Sequence, residues 1–92
     1  MATPTILGSV QNLMTHIKAI IDNLRVQRST EYLTGCTDIQ EYVYDHELEL
    51  KASHPIAMEM LSYMPIDDKR DMYAQVDENG GQSVTEDYLK IV

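Results

Sequence analysis

TILGSVQNLMTHIKAIIDNLRVQR, residues 5–28, decides the fold class. Ile6, Val10, Leu13, Ile17, Ile20 and Leu24 recur at alternating spacings of four and three, and Leu7, Met14 and Ile21 run beside them at intervals of seven. Together they form a broad apolar stripe at helical period. Pro4 precedes it, where a missing N–H costs little. Gln11, Asn12, Thr15, Lys18, Asp22 and Arg25 lie opposite. A helix over 5–28 would be about 36 Å long, more than a chain of this size needs. Three apolar positions per heptad is the pattern of a helix facing a core. The surplus length also allows Ile6, Val10, Leu13, Ile17, Ile20 and Leu24 to pair with a second copy in an oligomer.

After Arg28 a polar connector, Ser29–Cys36, leads to Thr37-Asp38-Ile39-Gln40, which has the capping-box pattern and predicts a second helix. Ile39, Tyr42, Val43, His46 and Leu50 share its inner face. Residues 46–52 also alternate polar and apolar, so a strand competes there; the abundance of Glu, Leu and Lys favours helix. Ser53-His54-Pro55 reads as a stop followed by a start, with Ser53 as cap. Ile56, Ala57, Met60, Leu61 and Met64 give a short apolar face that ends at Pro65. Asp67 or Asp68 then caps a segment carrying Met72, Tyr73 and Val76. Asn79-Gly80-Gly81 breaks the chain, and Ser83-Val84-Thr85-Glu86 is a second capping box before Val84, Tyr88 and Ile91. The pattern predicts one all-α domain over 1–92, a small bundle of four to five helices with a long first one.

With 92 residues there is room for one core. Net charge is −8, from fifteen acids against seven Lys plus Arg, which disfavours gripping nucleic acid or an anionic membrane. The charge is uneven: residues 1–36 carry +1 and residues 37–92 carry −9. Cys36 is the only cysteine, and no secretory segment or long apolar run is visible. The expectation is a cytoplasmic protein.

Motifs for chemistry are thin. Asp77–Tyr88 resembles the calcium loop of EF-hand proteins: Asp77 and Asn79 match its first and third positions and Val84 its eighth. Gln82 stands where the sixth position needs Gly, and Tyr88 where the twelfth needs a bidentate Glu. The resemblance implies at most a degenerate EF-hand-like module without calcium binding. His16, His46 and His54 with Cys36 give no zinc spacing, and Val43 stands where a Glu-x-x-His pair would need Glu. Cys36 near a helix start would have a lowered pKa, but no partner of known spacing accompanies it. No catalytic residue, metal site or cofactor is expected.

The second helix carries the most informative feature. Asp38, Glu41, Asp45 and Glu49 place like charges three and four apart, each close pair costing roughly 0.2–0.5 kcal/mol. Only Asp38 gains from the helix dipole. Such a row is either a solvated face or a surface made to meet basic groups. Met58, Met60, Met64 and Met72 cluster within 15 residues. Met60, Met64 and Met72 suit a core, whereas Met58, with Tyr44 and Leu48, falls off the inner faces and suits contact with a partner. The leading expectation is a non-enzymatic acidic interaction protein that blocks a basic, nucleic-acid-binding type of surface on a partner protein, by analogy with proteins that imitate the charge of DNA, as small chains of mobile elements do. An oligomeric helical scaffold or small-ligand binder, assembled through residues 6–24, is the alternative. Light scattering separates the two.

Overall fold

The polar breaks set the element boundaries. The computed structural model describes residues 6–27 and 35–89, with side chains over 6–26 and 38–89. The expectations at Pro4, across the connector 29–34 and at Ile91 lie outside the described residues, as do the side chains of Cys36 and Thr37. Among the described residues there are helices α1 (Ile6–Gln27), α2 (Gly35–Asp45), α3 (Glu47–Ser53), α4 (Pro55–Tyr63) and α5 (Ile66–Asn79), a 3-10 turn (Gly81–Ser83) and α6 (Glu86–Leu89), with no strand. The protein is all-α, and no described helix is long and apolar enough to cross a membrane.

α1 is the spine. Val10, Leu13, Met14 and Ile17 have no exposed surface and Ile21 is 4% exposed, while Ile6, Leu7, Ile20 and Leu24 are half-buried. α4 and the 3-10 turn pack along α1, with α2 and α5 adding smaller contacts. The centre of the stripe is therefore covered within one chain. This corrects the oligomerisation expectation for Val10, Leu13 and Ile17, which offer a second copy nothing to touch.

α2 begins at Gly35, two residues ahead of Thr37, so the expected capping box lies inside the helix. It does not run on as one rod. His46 (φ −113°, ψ 25°) interrupts it, and α3 follows at once. The helical hydrogen bonds persist across the break, from His46 N to Tyr42 O at 3.0 Å and from Leu50 N to His46 O at 2.9 Å. The His46 ring stacks on Tyr42 (centroids 4.1 Å apart) and its Nδ1 donates to the Tyr42 carbonyl at 3.0 Å. Residues 47–53 are thus helix, not strand.

Ser53 closes α3 rather than capping α4: its hydroxyl donates to the Glu49 carbonyl at 3.1 Å. His54 (φ −133°, ψ 62°) has the non-helical backbone that a following proline imposes, and Pro55 starts α4. The buried row of α4 is Ala57, Met58, Leu61 and Met64, with Ile56 44% exposed and Met60 half-buried. The face is turned by about one residue from the expected one. Pro65 caps α5, so Asp67 and Asp68 sit in the first turn, where the helix dipole favours their charge.

Met72, Tyr73 and Val76 bury the inner face of α5. The helix ends at Gly80, whose φ of +90° suits only glycine. Gly81 has a different duty. It lies against α1 so closely that a Cβ would collide with the backbone N of Thr15 and stand 2.6 Å from the Gln11 carbonyl. The Gln11 side chain donates to the Val84 carbonyl at 2.9 Å, locking the turn onto α1. Ser83 belongs to the turn and its hydroxyl donates to Gly80 O at 2.6 Å, so the second capping box is not used. Val84 and Leu89 complete the core.

Candidate functional site

The four acids expected to form one row divide into two kinds. Asp38 is 8% exposed. Arg25 reaches across from α1 and clasps it, with Nε 3.0 Å and Nη2 2.5 Å from Asp38 Oδ2. The same guanidinium turns Nη1 to Asp77 Oδ1 of α5 at 2.5 Å. One arginine thus ties three helices. Partial burial works against its charge, but the hydrogen bonds to Asp38 and then Asp77, with their negative charges, outweigh it and raise its pKa above the ordinary arginine value. Asp38 is therefore corrected from the partner surface to the interior. A carboxylate buried without its counter-ion would carry a heavy desolvation cost.

Glu41, Asp45 and Glu49 are exposed. None of them has an ion-pair partner among the described residues. The helical rise carries the three over about 12 Å. On the same outer face Tyr44 and Leu48 are each 81% exposed. Glu47 pairs with Lys51 at 3.6 Å, an exposed i, i+4 contact worth little. Met58, expected beside Tyr44 and Leu48, is 6% exposed and part of the core. Its place outside the helix face is corrected, because α4 is rotated toward α1 and α3.

Next to the acidic row lies a groove of about 490 Å³. Gln40, Glu41, Val43, Tyr44 and Glu47 form one wall, from α2 and the start of α3; Ile66, Lys69 and Tyr73 of α5 form the other. Ile66, at the mouth, is 56% exposed. The groove presents two carboxylates, one ammonium, two phenol rings and aliphatic surface. Such a set can pair with charge and cover apolar groups. Sequence reasoning missed Ile66, Lys69 and Tyr73 as neighbours of α2, since only tertiary packing brings them there.

The histidines are arranged differently. His16 and His54 stack face to face, centroids 5.8 Å apart at 28°. Ring lone pairs lie in the ring planes, so stacked rings do not converge on a common metal. Ser53 Oγ lies 2.8 Å from His54 Nδ1. Among the described residues no three of His, Cys, Asp and Glu gather as metal ligands. Asp77 and Asn79, matched above to calcium-loop positions, belong to α5, where Asp77 holds Arg25 and the Asn79 amide donates to Gln75 Oε1 at 3.0 Å. Compared with known proteins, the chain matches no family model, no curated sequence and no solved structure.

Proposed function

We propose that the protein is a non-enzymatic interaction protein whose outer α2–α3 face binds, and so blocks, a basic surface of a partner protein, of the type that holds nucleic acid. One observation carries the reading: Glu41, Asp45 and Glu49 stand exposed beside Tyr44 and Leu48, each 81% exposed. Mutually repelling acids cost helix stability, and exposed large apolar side chains add nothing to the core. Neither is explained by folding; both are useful to an interface, where charge steers encounter and aromatic groups anchor it. The net charge of −8 adds a long-range field of the same sign. The single cysteine suits a reducing compartment, which sets the interaction in the cytoplasm.

The test is a pull-down from lysate at low and high salt with wild type and with the variant Glu41→Gln, Asp45→Asn, Glu49→Gln. A basic protein should be recovered by wild type at low salt and depleted both by the triple variant and by salt. With the isolated partner, the variant should associate more slowly with a flatter salt dependence, whereas Lys51→Gln should not weaken binding. Equal recovery by wild type and triple variant would sink the reading.

A further inference from the structure

We infer that the groove between α2–α3 and α5 seats an amphipathic basic helix of the partner, with apolar side chains inserted and its basic flank against α2–α3; this rests on the function proposed above and deepens it. A flat basic patch would need only the acidic row. The groove adds an open recess of about 490 Å³ that can admit apolar side chains. Its surfaces are graded from wet to dry: Tyr44 at 81% and Ile66 at 56% exposure stand at the mouth, and Tyr73 is 3% exposed. Apolar groups entering between Tyr44 and Ile66 would displace water from both, in the helix-in-groove mode.

Charge selects the flank. The α2–α3 wall carries Glu41 and Glu47, with Asp45 and Glu49 on the adjoining face, while the α5 wall carries Lys69. An occupant therefore places Lys or Arg toward α2–α3 and an acidic or neutral residue toward Lys69. A cation directly beside Lys69 would meet repulsion, softened by Asp67 and Asp68 in the first turn of α5. An acidic segment would meet it along α2–α3.

The probes are two synthetic helical peptides of equal positive charge, one with leucines at i, i+4 positions and one with serines in their place, titrated calorimetrically into the full chain. Wild type should bind the leucine peptide about tenfold more tightly. Tyr44→Ser and Ile66→Ser, both at exposed positions that leave the core intact, should each remove most of that difference. The triple acidic variant should weaken both peptides. If the peptides bind wild type equally and only the triple variant weakens them, the acidic-face function stands and the groove inference fails. A leucine preference that survives both groove variants also overturns it. Binding of neither peptide overturns both readings. If the protein alone sediments as a dimer that Tyr44→Ser dissolves, the groove is a seam between copies and the inference fails.

Discussion

Asp38 and Asp45 stand seven residues apart on α2, and the fold treats them in opposite ways. Asp38 is 8% exposed and held by an arginine from another helix. Asp45 is exposed, with Glu41 and Glu49 four residues to either side. The first carboxylate joins α2 to α1 through Arg25, which also holds Asp77 of α5, and its charge is part of the fold. The second contributes repulsion to the helix that carries it. Identical chemistry on one helix thus separates what holds the molecule together from what it shows to others. The apolar residues divide the same way: Ile39 and Leu50 are covered, Tyr44 and Leu48 are not.

That contrast can be broken most forcefully by placing a carboxylate where no arginine waits. Ile17 has no exposed surface. Ile17→Asp should cost at least about 4 kcal/mol and leave the chain largely unfolded, because it buries an unpaired charge. Circular dichroism reads the outcome, and a folded variant would show that α1 is less enclosed than described.

Next in size is removal of the counter-ion. Arg25→Ala leaves Asp38 buried alone and should destabilise by about 2–4 kcal/mol, toward the lower part of the range for broken buried pairs because the Arg25 side chain keeps 30% exposure. Urea unfolding measures it. A smaller and sharper comparison uses one substitution at two places. Asp38→Asn should cost about 1–2 kcal/mol through lost charge-assisted hydrogen bonds, whereas Asp45→Asn should fall within about 0.5 kcal/mol of wild type. Equal effects would erase the distinction between inner and outer acids.

The smallest effect lies at alkaline pH. Burial of the Tyr88 phenol, followed by the charge of Asp71 and a hydrogen bond to it, raises the Tyr88 pKa above its ordinary 10.0. A raised pKa means the contribution is intact below pH 10 and lost as the pH climbs through the higher value. Wild type should lose thermal stability above pH 10 more steeply than Tyr88→Phe, which cannot ionise there. Parallel curves would remove Tyr88 from the account.

The sequence made α1 legible as a helix because nine apolar residues recur at helical spacing, but that spacing left open whether the stripe faces the core or a second copy. It made α4 only partly legible. In Pro55–Met64 most positions are apolar, so hydrophobicity fixes that the segment is buried but not which side, and the face that spacing picks out omits the buried Met58. The helix break at His46 carries no Gly or Pro to announce it. The split of the acidic row was hidden for another reason: Arg25 meets Asp38 and Asp77 across 13 and 52 residues, and local spacing rules see only neighbours. The groove shares that origin, since α5 supplies one wall.

The seat of Gly81 on α1 bears on the order in which the molecule assembles. The contacts of α3 with α4 and of α5 with the 3-10 turn join segments near in sequence, which close quickly. The Gln11–Val84 hydrogen bond instead joins residues 73 apart, and the surface of α1 from Gln11 to Thr15 has no cover on that side until the Gly81 turn arrives. The entropy of so long a closure rises only slowly with length, by about 0.6 kcal/mol per doubling, but contacts far apart in sequence form late. During synthesis α1 is therefore made well before the turn that covers it. A chain halted before Gly81 would keep part of its apolar stripe open to water and to other chains.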